Sequence, residues 1–164
     1  SFCSWQGNSL RAFGEKKFLD AAIKNANFLW SKAISSSNEI KRNYKNVESF
    51  IEGFLDDYAF TISAFINLYQ ATFDEKWLYK ANDIAAYTQT HFFDSASGMF
   101  YYTHNQHSKL IARKMEIADN VIPSSNSEMA KNLFYLGHFF SDDAEIKKAT
   151  QMLLNVQKNL QQQI

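Results

Sequence analysis

One proline and five glycines in 164 residues leave little to interrupt a helix, so long helices are the expected state before any pattern is read. Self-comparison turns that expectation into a repeat. Glu15 to Ala21 (EKKFLDA) aligns with Glu75 to Ala81 (EKWLYKA) at an offset of 60 residues, and more loosely with Asp143 to Ala149 (DAEIKKA) a further 68 residues on. Each segment has an acidic start, an apolar residue three on (Phe18, Leu78, Ile146) and an alanine three after that, which mark equivalent helix beginnings. In the third, Ile146, Ala149, Leu153, Val156 and Leu160 recur at three- and four-residue steps, with Lys147, Lys148, Gln151 and Lys158 on other faces. Helices of this kind lie on the outside. The segments ahead of them, Tyr58 to Tyr69 and Met129 to Phe140, are apolar on nearly every side and are expected to be buried. The repeat is therefore an inner helix, a short turn at 71–74 or 141–142, and an outer helix. Ser1 to Phe13 is expected to be the tail of an earlier inner helix.

The connections from each outer helix to the next inner one are long, about Ser35 to Leu55 and Asp94 to Ser124, and long loops in compact domains usually carry function. The second is predicted to hold a β-hairpin, Gly98 to His104 against Lys109 to Met115 around Asn105 to Ser108. The first is expected to hold a shorter ribbon around Ile40 to Tyr44. Because antiparallel helices alternate in direction, both long loops fall at one end, around the N-termini of the inner helices, and that end is the candidate working face. About three helical hairpins with a period near 60 residues fit either a stacked α/α solenoid or half of a closed α/α toroid. The expected organisation is one partial domain over 1–164, a fragment whose upstream hairpins are missing.

Charge and cysteine content narrow the function classes. Seventeen basic residues balance seventeen acidic ones, which argues against a nucleic-acid or anionic-membrane partner, since both need clustered excess Lys and Arg. No apolar run approaches the roughly 18 residues of a membrane span. Cys3 alone cannot close an internal disulfide, so a reducing, cytoplasmic setting is expected. No phosphate-cradling glycine loop, dinucleotide fingerprint, nucleophile elbow or zinc-protease helix occurs, and neither a cofactor nor a metal is expected.

The residues able to carry chemistry gather at the two inner-helix mouths. Asp56 and Asp57 open the first, where one is expected to serve as a helix cap and the other to face a cavity as a general acid or base. Tyr58 follows as a residue for stacking on a sugar ring or for filling the core. The second mouth, Asp119 to Glu128 (DNVIPSSNSE), is rich in short polar side chains. Ser125 and Glu128 have the spacing of a capping box behind Pro123, which leaves Asp119, Asn120 and Asn126 as the better functional candidates. The catalytic candidates are Asp57 and Asp119; Asp56, Tyr58, Asn120, Ser124, Asn126 and Arg42 are candidates for substrate contact. Tyr44, Lys114 and Glu116 are loop residues placed to ring an opening. His104 and His107 are expected to be exposed at the hairpin turn rather than to hold a metal, and His91 and His138 to pack within helices.

Phe54 to Phe60 (FLDDYAF), the Tyr69 to Thr72 and Glu75 to Leu78 segments, and Asp119 to Ser127 resemble, in the same order, the C-terminal part of the spermatogenesis-associated protein 20 family and its bacterial relatives. That resemblance implies a six-hairpin (α/α)6 domain, similar to glycosidases and sugar 2-epimerases, behind a thioredoxin-like domain that would lie upstream. It implies no established catalytic residue. Where the family has Glu-Asp-Tyr-Ala this chain has Asp56-Asp57-Tyr58-Ala59, which keeps the charge; where it often has Pro-Ser-Gly-Asn this chain has Pro123-Ser124-Ser125-Asn126, which removes a glycine. Two functions are then in play: a polar, aromatic-lined cavity for a carbohydrate-like ligand, or a non-catalytic helical-repeat interaction scaffold. An open half toroid exposes the flanks of its inner helices, so self-association is expected as well.

Overall fold

The computed structural model describes residues 16–42, 52–105 and 124–161. Its elements in chain order are α1 (Lys16–Phe28), which runs on through a π-turn (Leu29–Ala33), α2 (Leu55–Thr72), α3 (Glu75–Phe92), β1 (Phe93–Asp94), β2 (Met99–Phe100), α4 (Ser125–Phe140) and α5 (Asp143–Gln161). Helices α2 and α4 are the inner members of two helical hairpins, and α1, α3 and α5 carry the outer-helix repeat. Along α2, Leu55, Tyr58, Ala59, Ile62, Phe65, Ile66 and Leu68 are all buried, as a helix without a polar stripe requires. Helix α3 buries Trp77, Leu78, Ala81, Ile84 and Ala85 on one side.

The repeat extends to how helices stop and restart. No glycine follows α2 or α4, and the turn is made by Phe73 and Ser141, each left-handed at φ 56°, a conformation that costs a non-glycine residue roughly 1–2 kcal/mol. The aspartates just after these turns cap the outer helices. Asp74 Oδ1 accepts the Lys76 amide at 3.2 Å, and Asp142 Oδ1 accepts the Ala144 and Glu145 amides at 2.9 and 3.2 Å. Pairing with Lys76, 2.6 Å away, holds the Asp74 carboxyl below the usual carboxylate range. Gly137 permits the close α4–α5 turn: a Cβ there would lie 2.7 Å from Ile146 Cγ1 and 3.1 Å from the Asp142 carbonyl oxygen.

The described residues form two compact units, the first drawn from 16–42, 52–53 and 60–87, the second from 54–59, 88–105 and 124–161. In the first, Phe65 links Trp30 and Trp77 with ring centroids 6.1 and 5.3 Å away, and Ala22 and Ala26 of α1 are buried. Antiparallel bridges join Ile34 to Ile40 and Lys41 to Glu52. The ribbon expected near Ile40 thus exists, although residues 43–51 lie outside the described set. The second unit packs Leu55, Tyr58 and Phe92 with Met99, Phe100, Met129, Leu133, Ala149 and Met152, all at most 2% exposed.

The strand around Met99–Phe100 forms a small hairpin with Phe93–Asp94, in register Phe93 to Phe100 and Asp94 to Met99; its expected partner Lys109 to Met115 lies outside the described residues. Its turn is built by Asp94, whose carboxylate accepts the Ser97 amide at 3.1 Å, and by Gly98 at φ 68°. On α5, Met152 rather than Leu153 continues the buried stripe from Ala149, and Leu153 is 48% exposed. Helix α4 is buried only over its first half and on one face thereafter, with Phe134, Tyr135, Phe139 and Phe140 exposed.

Candidate functional site

Two helix N-termini and one β-segment define the site, all within the second unit. The Leu55 amide donates to the Tyr102 carbonyl at 3.0 Å, and the Phe54 ring stacks on Tyr102 at 5.1 Å. At Phe100, two residues earlier, the Asn126 side chain takes hold: its Oδ1 accepts the Phe100 amide at 2.8 Å and its Nδ2 donates to the Phe100 carbonyl at 3.0 Å. The mouths of α2 and α4 are therefore fixed to neighbouring residues of one short segment. Deeper in, Asn132 Nδ2 of α4 donates to the Ala59 carbonyl of α2 at 2.7 Å, a second tie between α4 and the first turn of α2 within this unit.

At the α2 mouth the two carboxylates are set differently. Asp57 reaches back so that its Oδ2 accepts the Phe54 amide at 2.9 Å, the carboxylate half of a capping box. Asp56 Oδ1 accepts the Asp57 amide at 2.9 Å. Both are half-buried at the positive end of a helix, where amides and helix dipole favour negative charge. Tyr58 is 1% exposed, packed 5.0 Å from the Phe92 ring.

At the α4 mouth the cap sits one residue earlier than its spacing suggested. Ser124 is extended (φ −61°, ψ 149°) and its side chain accepts the Ser127 amide at 3.2 Å, so Ser125 and Glu128 do not form the capping box. Ser125 is 1% exposed. Glu128, 5% exposed, meets Lys131 Nζ at 2.6 Å. Asn126 is fully buried and commits its amide to Phe100. Arg42 is exposed at a bend in the first unit. Asp119, Asn120, His107, Tyr44, Lys114 and Glu116 lie outside the described residues, as do Cys3 and the 1–13 segment.

Two features escaped the sequence. His104 is buried at 6% exposure rather than displayed on a turn, stacked on His91 at 4.4 Å and edge-on to Phe92 at 5.5 Å. The chain returns there from the hairpin to the end of α3, a long-range contact that carries no local pattern. Asn132 is fully buried, and its Oδ1 has no hydrogen-bond partner among the described residues. A lone amide inside an otherwise apolar helix was the signal for it. Among the described residues no group of three or more His, Cys, Asp or Glu is placed to hold a metal, and no helix is long and apolar enough to cross a membrane.

Inner and outer helical hairpins with a small β-hairpin across the inner-helix mouths define an α/α-toroid protein of the six-hairpin glycosidase type. The solved structures agree: cellobiose 2-epimerase from Bacillus thermoamylovorans superposes with a TM-score of 0.72 at 14% identity, over 98% of this chain and 42% of that one. A GH76 α-mannanase from Bacteroides thetaiotaomicron gives 0.67 at 16% identity, over 89% and 36%. No family model matches the sequence. By sequence the chain is similar to spermatogenesis-associated protein 20, with 30% identity to the mouse protein (Mus musculus) over 138 residues and 29% to the rat protein (Rattus norvegicus) over 150. These alignments cover 78% and 81% of this chain but only 18% and 19% of the relatives, so the chain spans about a fifth of their length.

Proposed function

We propose that this chain supplies one wall of a carbohydrate-binding or carbohydrate-processing cavity, centred on the mouths of α2 and α4. The observation that carries the reading is the adjacent pair Asp56 and Asp57 at the α2 mouth, in a fold shared with a cellobiose 2-epimerase and an α-mannanase. Within it, Asp57 is the positioning carboxylate, tied to the Phe54 amide, and Asp56 is the acid or base. Asp119 is the second carboxylate that such chemistry needs. Ser124 caps the α4 mouth and Asn126 holds the Phe100 segment beside it; Asn120 is a further proposed contact, and Arg42 and Tyr58 have the weaker claims. The thioredoxin-like upstream domain of the full-length protein belongs to this reading too.

The test is a thermal-shift screen of the full-length protein against mono- and oligosaccharides, because a ligand that binds only the folded state raises apparent stability. A sugar-specific rise of a few degrees should vanish in Asp56→Asn, which keeps an oxygen for the Asp57 amide and loses only the helix-end charge, at a cost to unliganded stability of about 0.3 kcal/mol. Asp57→Ala, which loses the capping bond, should instead lower the unliganded stability by about 1 kcal/mol. If no sugar shifts the wild-type protein, or Asp56→Asn keeps the full shift, the cavity assignment fails.

The alternative, a helical-repeat scaffold that associates with itself or another protein, is favoured by one observation. Phe134, Tyr135, Phe139 and Phe140 of α4 are 36–39% exposed, an aromatic surface of the kind found at interfaces.

A further inference from the structure

The outward face of α4 carries a pattern that matches its own reverse. Lys131, Phe134, Tyr135, His138 and Phe139 are exposed, while Asn132, Leu133, Leu136 and Gly137 between them are buried. Steps of three and four put the five exposed residues on one stripe of the helix. The rings form a joined surface, with Phe134 4.4 Å from His138 and 6.4 Å from Tyr135 between centroids. A lysine stands at the start of this stripe and two exposed aspartates, Asp142 and Asp143, at its end, with no Lys, Arg, Asp or Glu between. Opposite charges at the two ends of an aromatic strip favour laying it antiparallel on a copy of itself. The spacing is symmetric as well: Lys131 with Asp142, Phe134 with Phe139, and Tyr135 with His138 are each centred midway between Leu136 and Gly137. A two-fold axis at that point sets each lysine against the aspartates of the other copy and each aromatic ring against another ring. A parallel copy would set lysine on lysine and aspartate on aspartate. Lys131 already meets Glu128 at 2.6 Å, yet its side chain stays 49% exposed, which leaves the ammonium open to a second carboxylate.

We propose that the C-terminal half of α4 is a two-fold docking surface for a second copy of this chain. The proposal rests on the association reading of the aromatic surface rather than on the carbohydrate reading, and it names the partner and the register. The contact is small. An aromatic side chain offers about 150–250 Å², and Phe134, Tyr135 and Phe139 are 38–39% exposed, so the buried area falls short of the roughly 1,200–2,000 Å² of a stable complex. The dimer therefore forms on the order of 10–100 μM and dissociates on dilution.

The test is sedimentation equilibrium of the 164-residue chain between about 10 and 200 μM, where the wild-type chain should pass from monomer to dimer. Phe134→Glu should stay monomeric throughout. Asp143→Lys, which brings a like charge to Lys131 twice in each dimer and spares the Asp142 cap, should raise the dissociation constant about five-fold, and Lys131→Glu in the same chain should recover most of that loss. Should the double variant fail to fold, salt decides in its place: the wild-type dimer should weaken from low to high ionic strength and the Asp143→Lys dimer should not. A wild-type chain that is monomeric at the highest concentration overturns both the proposal and self-association. A dimer that neither Phe134→Glu nor Asp143→Lys weakens overturns the proposal alone, because the copies then meet through another surface.

Discussion

Trp77→Ala is expected to lower the unfolding free energy by about 3–5 kcal/mol. Trp77 has no exposed surface and packs its indole 5.3 Å from the Phe65 ring, with the Lys76 and Lys80 side chains lying against it at 5.0 and 5.5 Å. Truncation removes the largest buried side chain of the first unit and leaves a space that Phe65 and Ala81 are too constrained by their helices to fill. It also strips both lysines of a ring face, so the loss should exceed what transfer of the indole alone predicts. For a chain of this length each kcal/mol moves the melting midpoint by about 2–4 °C, and the variant should therefore melt roughly 10 °C lower by circular dichroism. Trp77→Phe should recover more than half of the difference; equal losses for the two variants would show that the site can relax around the missing ring.

Asn126→Leu is expected to cost about 3 kcal/mol, although leucine branches at the same atom and is the more apolar residue. The fully buried amide satisfies both backbone groups of Phe100, and each buried group left without a partner costs about 1–3 kcal/mol. The signature should be local as well as global. The Phe100 amide should lose hydrogen-exchange protection in this variant, whereas amides in the middle of α3 should keep theirs relative to overall stability. Wild-type protection at Phe100 in a destabilised variant would show that the loss arises elsewhere in α4.

The helices were legible because their signals are long and redundant. The apolar run of α2 and the repeated acidic starts at Glu75 and Asp143 each span several turns, and tertiary packing had nothing to overrule. Short features were not legible. Strand β1 is two residues that continue directly from α3, too few to show alternation. The turns at Phe73 and Ser141 use left-handed non-glycine residues, which only the break in periodicity marks. At the two inner-helix mouths, the sequence marks where the polar residues gather but not which of them bonds to the backbone. Whether Asp57 or Asp56 turns back onto the chain, and whether Ser124 or Ser125 caps, depends on a one-residue offset in where a helix begins, which propensity does not fix. That Asn126 grips the backbone of Phe100 depends on a hairpin pairing the sequence does not show.

That grip has a consequence for solubility. In the antiparallel ladder Phe100 stands opposite Phe93, and its outward amide and carbonyl would ordinarily be open to another strand. The segment that carries them, Met99-Phe100-Tyr101-Tyr102, is uncharged and aromatic, the composition most given to intermolecular β-pairing. By occupying both groups at once, a single asparagine side chain stands where another molecule's strand would bond at Phe100, and closes that position to intermolecular pairing.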